Sequence, residues 1–431
     1  MRKRSVHDAV LRAVEDAREE LVAFTQALIR IPTVNPPGEN YDACAQLLGD
    51  ALAGDGFAIE YLTAVGRQEH SASFPRVNVV ARRPGRHTNP ALHLNGHIDV
   101  VPVGAGWTRD PFGGTVERGR VYGRGASDMK SGIAAARFAS LAIARAGIEL
   151  AGTLELSGTV DEETGGWAGA AFLAETGLLT RPRVDYVIIP EPFGVDRICV
   201  GHRGVYWFEL TTRGRTAHGS MPFLGVNAID HMGAVLHRVR TELSPALRLR
   251  RTAMPVVPDG ARSATINVNS VEGGQVGFAT QSPCVADRCT AVFDRRFLLE
   301  ESVEEVRQEL VALIAETWKD IPDLDCSLTD RLLVLPVRTP DGSPAISAAG
   351  GAIRTVLGRD ATLVASPGTY DHKHVTGIGG IVDCVAYGPG RLELSHQPDE
   401  WCDIEELVKA TQVLALTILS LIGPTELRLT P

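Results

Sequence analysis

Apolar residues recur at helical spacing near the start of the chain: Val10, Val14, Ala17, Leu21, Phe24 and Leu28 stand between charges. This period predicts an amphipathic helix over roughly residues 8–30. The pattern then changes to short apolar runs bounded by Gly, Pro and Asp. These predict strands at Phe57–Leu62, Val77–Ala81, Ala91–Asn95, Gly152–Val160 and Tyr186–Ile189. Helical periodicity returns between them at roughly 41–53, 129–146 and 166–176. Weakly periodic apolar strands alternating with helices predict an α/β fold, with a mostly parallel sheet covered on both faces.

After residue 200 the texture shifts. "YWFELTTRG", "SATINVNSVEG" and "CTAVFDRRF" alternate like half-exposed strands, and "NAIDHMGAVLHRVRTEL" and "SVEEVRQELVALIAETW" read as helices. This predicts a smaller α+β domain with one open sheet face, inserted at 206–331. The α/β texture then resumes, with helices near 344–357 and 403–422, so the main domain comprises 1–205 and 332–431.

A length of 431 residues allows a large core and two domains. The net charge of −9 argues against a general attraction to nucleic acid or an anionic membrane, yet permits a positive pocket for a small anion. "MRKRS" starts like a signal peptide, but no apolar stretch follows it. "VLALTILSLIG" is too short to span a bilayer and reads as a packed terminal helix. Seven scattered cysteines without a C-x-x-C argue against a disulfide framework or thiolate zinc site. Free thiols in a cytoplasmic protein are expected.

"SGTVDEETGG" sets Asp161, Glu162 and Glu163 at the end of an apolar run. Adjacent carboxylates repel and lose hydration when covered. The dipole of a following helix is one remedy, and a bound cation is another. "LHLNGHIDVVP" carries His97 and Asp99, "VYGRGASDMKSG" carries Asp128, "VIIPEP" carries Glu191 and "ELSHQPDEW" carries His396. Each has an ordinary reading as a turn, helix cap or surface loop. Taken together, His97, Asp128, Glu162, Glu163 and Glu191 fall at or just beyond strand C-termini, where open α/β sheets place their sites. Such a set suits two divalent ions about 3.5–4 Å apart, which lower the pKa of a shared water. A free carboxylate then takes its proton. At a strand-end turn neighbouring side chains diverge, so one glutamate can bind metal while the next acts as base.

The ordered motifs "NGHIDVVP", "GRGASDMKSG", "TVDEETGG", "PEP", "RGRTAHGSMPFLGVNAI", "INVNSVEGG", "DRRFLLEE" and "SHQPDEW" resemble the M20 metallopeptidase family over nearly the whole chain. That family includes acetylornithine deacetylase, succinyl-diaminopimelate desuccinylase, aminoacylases and glutamate carboxypeptidases. The resemblance implies a metallohydrolase that cleaves an amide bond of a small carboxylated substrate, such as an N-acyl amino acid or dipeptide. Asp128 matches the bridging carboxylate. His97 and Glu191 match the remaining ligands of one ion, Glu163 and His396 those of the other. Glu162 matches the general base, and Asp99 the acid supporting the metal-binding histidine. The peptide after Asp128 is expected to be cis. The ions implied are two divalent metals, zinc first, with manganese or cobalt as alternatives. The inserted domain matches a lid and dimerisation domain, which implies a homodimer. His218 matches a residue that stabilises the oxyanion, and Asn267 and Arg296 match substrate-binding residues.

One stretch departs from the family. Relatives carry a "G-T-[SD]-x-x-R"-like segment whose Arg clamps the substrate carboxylate, whereas this chain has "PGTYDHKHV". Tyr370 replaces a small residue, and Lys373, which cannot form a planar bidentate clamp, stands in the Arg position. His372 and His374 add imidazoles. Tyr370 and Lys373 are therefore expected to touch the substrate. An aromatic partner for Tyr370 opens an alternative: hydrolytic deamination or deacylation of an aromatic amine or anilide. A metal-free binding module is a third reading, opposed by the intact ligand positions.

Overall fold

The computed structural model describes residues 2–274, 283–321 and 323–429. It divides into two compact units: Met1–Gly201, Thr339–Val364 and Tyr370–Pro431 form the first, and His202–Arg338 with Ala365–Thr369 the second.

The first unit is built on a mixed sheet. Seven of its strands run in the order Ala58–Thr63, Val77–Arg83, Thr153–Thr159, Ala91–His97, Tyr186–Ile189, Cys384–Ala386 and Arg197–His202. The middle is parallel: Ala91–His97 lies between Thr153–Thr159 and Tyr186–Ile189, and Cys384–Ala386 continues in the same sense. The outer pairs are antiparallel. Every residue of Ala91–His97 and Thr153–Thr159 is buried, as expected of strands covered on both faces. Val10, Val14, Leu21, Leu28, Phe138, Ile143, Leu414 and Ile418 contribute to one core cluster. Helix Ile404–Ile422 starts where the Asp403 carboxylate accepts the amides of Glu405 and Glu406, a regular N-cap. No described helix is long and apolar enough to cross a membrane.

Three details differ from the periodicity. The N-terminal amphipathic stretch is two helices, Arg2–Asp16 and Arg18–Ile29, although the apolar stripe continues through the break. The helix expected from 166 begins only at Ala170. Glu162–Thr164 first forms a 3₁₀ turn, and Gly165 and Gly166 then take positive φ, which delays the helix. A small sheet of Trp401–Asp403, Arg120–Tyr122 and Thr115–Glu117 has strands too short for periodicity to reveal. It ties the chain just after His396 to the hairpin just before Asp128.

In the second unit, an antiparallel sheet runs in the order Thr265–Gly273, Arg288–Phe297, Gly204–Arg213, Asp325–Val334. Arg288–Phe297 alternates buried and less buried positions, the signature of a sheet with one covered face. Helices Ala228–Arg238 and Val303–Asp320 supply Met232, Val235 and Leu310 to a core around Phe208 and Phe293, whose rings stack at 4.9 Å. Val303–Asp320 begins with a complete capping box between Ser302 and Glu305.

Candidate metal centre

The parallel strands of the first unit end on one side, and the functional side chains follow from those ends. His97 is the last residue of its strand, and Asp161–Glu163 follow Thr159. Glu191 follows Ile189 by two residues, and His396 lies in the loop after Cys384–Ala386. Asp128 comes from the turn before helix Lys130–Arg145, and its peptide bond to Met129 is cis. Gly132 lets that helix pass close to the Glu191 loop, because a Cβ there would lie 2.0 Å from the Pro190 carbonyl oxygen.

Two donor clusters share one residue. His97, Asp128 and Glu191 form the first, and Asp128, Glu163 and His396 the second, with the donor atoms of each within 4.8 Å of one another. His97 Nε2 lies 3.2 Å from Asp128 Oδ1 and 3.8 Å from Glu191 Oε1. His396 Nε2 lies 3.0 Å from Glu163 Oε2 and 3.5 Å from Asp128 Oδ2. The two oxygens of Asp128 therefore face different histidines. Among the described residues, the ion pairs of Asp128, Glu163 and Glu191 are with histidine alone, not Lys or Arg. Three clustered carboxylates matched only by two imidazoles leave a deficit of positive charge, and the donor types fit divalent cations.

The side chains by themselves share protons in response. Burial pushes Glu163 up to about 7 and Glu191 well above the usual carboxylate range. Hydrogen bonds to Asp128 and Glu163 raise His396 to about 10. Burial opposes charge on His97, yet its contacts with Asp128 and Asp99 carry it well above the ordinary imidazole value. Burial likewise opposes charge on Asp128, but the hydrogen bonds of His396 and His97 hold it far below the usual carboxylate range.

The surroundings refine several expectations. Asp99 meets His97 Nδ1 mainly through its backbone carbonyl, at 3.0 Å; its nearer carboxylate oxygen is 3.5 Å away. That carboxylate instead accepts the amides of Glu162 and Glu163, each at 3.2 Å, and Asn35 Nδ2 at 3.0 Å. Asp99 thus fixes the histidine and the acidic turn together. Asp161 takes φ 61° and is buried against the Arg76 guanidinium and the Tyr41 hydroxyl, each at 2.8 Å. Its charge is matched by a distant arginine rather than by the turn.

Lys373 is buried with Nζ 3.3 Å from Glu162 Oε1. Tyr370, expected to touch the substrate, is a buried side chain. It is 4% exposed, its ring 6.0 Å from that of Phe193 and its hydroxyl near His372 Nδ1 (3.2 Å) and Cys199 Sγ (3.4 Å). His374 Nε2 lies 2.7 Å from the Gly165 carbonyl oxygen and so also braces the acidic turn.

His218, Asn267 and Arg296 belong to the second unit. His218 is exposed, with Nδ1 2.8 Å from Ser220 Oγ. Asn267 is exposed and donates to Asn269 Oδ1 at 2.7 Å. Arg296 is half-buried and forms a two-pronged pair with Asp294, at 2.7 and 2.9 Å.

Sequence reasoning missed a support beneath the donor clusters. Arg124 Nη1 pairs with Glu400 Oε2 at 2.7 Å, and both residues are buried. Glu400 Oε1 accepts the amides of Ser127 and Asp128, at 2.8 and 3.0 Å. Arg124 also donates to the carbonyl of His396 at 3.3 Å. One ion pair therefore grips the backbone at two of the clustered donors, Asp128 and His396. Its only sequence signal is a charge of opposite sign inside each of two ligand motifs.

An α/β sheet with two overlapping His/carboxylate clusters beyond its strand ends defines a metal-binding hydrolase scaffold. Residues 93–420 match Peptidase family M20/M25/M40, and the chain belongs to that family. It is similar to the succinyl-diaminopimelate desuccinylase of Psychrobacter arcticus, at 28% identity over 92% of this chain and 93% of the relative. It is also similar to the N-formyl-4-amino-5-aminomethyl-2-methylpyrimidine deformylase of Bacillus subtilis, at 27% identity over 95% and 96%. The di-peptidase Dug1p of Saccharomyces cerevisiae shares the fold, with TM-score 0.74 and 15% identity over 96% of this chain and 98% of that one. The protein is a hydrolase acting on C–N bonds, of the kind that cleaves amides in small substrates.

Proposed function

We propose that the chain removes an acyl group from, or cleaves a dipeptide-like amide in, a small carboxylated substrate, using two divalent ions. The observation that carries this reading is the division of Asp128, whose two oxygens each face a separate imidazole–glutamate pair. His97 and Glu191 would complete one ion's ligands, and Glu163 and His396 the other's. Zinc suits the mixed imidazole and carboxylate donors, as do manganese and cobalt. When bound, the ions supply Lewis acidity, polarising the scissile carbonyl and making water acidic.

The remaining work belongs to the chain. Glu162, left out of both clusters, takes the proton of the attacking water and delivers it to the leaving amine. Asp99 holds the backbone amides that fix the direction of Glu162 and Glu163. Lys373 accompanies Glu162 and supplies a point charge for the substrate carboxylate. His218, by family resemblance, donates to the oxyanion, and Asn267 and Arg296 orient the substrate. The second unit serves as lid and dimerisation surface of a cytoplasmic homodimer. The test is Glu162→Gln, assayed on N-acyl amino acids and dipeptides. We expect turnover to fall roughly 10²–10⁴-fold with metal content unchanged. Full turnover in that variant sinks the assignment of the base.

A second reading, deacylation of an N-acylated aromatic amine at the same site, is supported by the likeness to the pyrimidine deformylase. A panel pairing N-formyl and N-acetyl aromatic amines with N-succinyl and N-acetyl amino acids separates the two. No turnover of any aromatic amide removes the second.

A further inference from the structure

Strands at the centre of a parallel sheet are ordinarily apolar on both faces. Here Ala91–His97 and Thr153–Thr159 carry a buried polar stripe. The register sets His93 opposite Glu155 and Asn95 opposite Ser157, so alternate residues of both strands share a face. None of the four is more than 3% exposed. Their side chains form one continuous chain. His93 Nδ1 lies 3.2 Å from Glu155 Oε2, and His93 Nε2 lies 2.8 Å from Ser157 Oγ. Ser157 Oγ donates to Asn95 Oδ1 at 2.7 Å, and Asn95 Nδ2 donates to Asp371 Oδ2 at 2.9 Å. At the far end Arg82 and Arg183 donate to Glu155 Oε1 at 3.0 and 2.8 Å. At the near end Asp371 opens the short helix His372–Gly377, whose Lys373 reaches Glu162.

Counting protons fixes the direction of every link. A serine hydroxyl has one proton, and a primary amide has a donor side and an acceptor side. With Asp371 ionised, Asn95 turns its nitrogen toward it, and its oxygen takes the Ser157 proton. The Ser157 oxygen then accepts from His93 Nε2–H. His93 Nδ1 meets a glutamate already held by two guanidinium groups, so it carries a proton as well. Only an imidazolium closes the chain. With Asp371 protonated every link reverses, and His93 becomes a neutral Nδ1–H imidazole. The Asn95 nitrogen at 2.9 Å makes Asp371 the acceptor of this pair, although burial, with Glu162 adding to the rise and Lys373 opposing it, pushes its carboxyl up to about 6. The Asn95 amide passes no proton along, so the chain conveys charge and orientation.

We propose that His93 is a buried imidazolium and a positioning residue: through Ser157 and Asn95 it holds Asp371 as a carboxylate, and Asp371 seats the turn that sets Lys373 against Glu162. Its effect on turnover rests on the reading of Glu162 as the base; the charge of His93 does not. The test uses the full-length chain, labelled with ¹⁵N-histidine, loaded with diamagnetic Zn²⁺ and assigned through the backbone. At slightly alkaline pH, where a free imidazole is neutral, both His93 ring nitrogens are expected to be protonated. In Asp371→Asn the uncharged amide can meet Asn95 through either its oxygen or its nitrogen, so the chain is no longer held in one direction and the neutral Nδ1–H form of His93 gains population. Turnover in that variant falls roughly tenfold, and less than additively with Lys373→Met. A neutral His93 in the wild-type protein overturns the proposal, and that spectrum decides even if the variant does not fold. An imidazolium unchanged in Asp371→Asn also overturns it, and strictly additive kcat effects remove the link to Lys373. The outcome of Glu162→Gln leaves these signals untouched, so the two readings fail separately.

Discussion

The two halves of the centre use the same donor types in different settings. His97 ends a fully buried strand, its side chain 1% exposed and its second nitrogen held by the Asp99 carbonyl. The side chain of His396 is 48% exposed, in a loop at φ 65°, gripped through its carbonyl by Arg124. The sheet itself orients the first half, whereas the second depends on a buried ion pair that reaches the loop from elsewhere. Preorganised donors bind with less reorganisation, so the His97 half is expected to hold its ion more tightly.

The largest effect tests what the halves share. Asp128→Ala is expected to lose both ions and reduce activity to that of chelated protein, read by metal analysis and assay. Retention of two ions would show that Asp128 does not join them. Next, His97→Ala and His396→Ala are each expected to bind one ion fewer per chain. The ion left in His97→Ala should then be stripped by a weaker chelator than the ion left in His396→Ala, and the opposite order would reverse the comparison. Glu400→Gln keeps the shape but weakens the grip of Arg124. It should lower metal affinity about 10–100-fold, mostly at the His396 half, in chelator competition. An equal loss at both halves would assign the pair to Asp128 alone.

Proton release sharpens the same contrast. The metal-free side chains keep Glu163 near 7 and His396 near 10, so an ion entering that half displaces protons at neutral pH. Affinity should therefore rise with pH through neutrality and level off near pH 10. Titration calorimetry in buffers of different ionisation enthalpy counts the protons, and a count of zero contradicts the shifts. The smallest effect is expected for Tyr370→Phe. Losing the buried hydroxyl and its contacts with His372 and Cys199 should lower stability by about 1 kcal/mol in denaturant unfolding, with KM unchanged. A large rise in KM would return Tyr370 to the substrate.

The clustered donors were legible because a polar residue at the end of an apolar run is conspicuous at any position in the chain. His97, Glu163 and Glu191 stand out in this way, and the family motifs add Asp128 and His396. The main strands were legible too, because burial on both faces leaves apolar runs. Local pattern cannot show pairing between distant segments. Arg124 meets Glu400 across 276 residues of sequence, and Asp161 meets Arg76 across 85. Nor does it show which backbone groups the Asp99 carboxylate accepts. The polar stripe is the clearest case: His93, Asn95, Glu155 and Ser157 interrupt runs that otherwise read as apolar, and become one chain only through strand register. The sequence by itself determined the fold class, the family and the donors beyond the strand ends. Only the tertiary structure decided how those donors are held and where their charges are balanced, because hydrogen bonds and ion pairs depend on distances in space that periodicity along a chain does not carry.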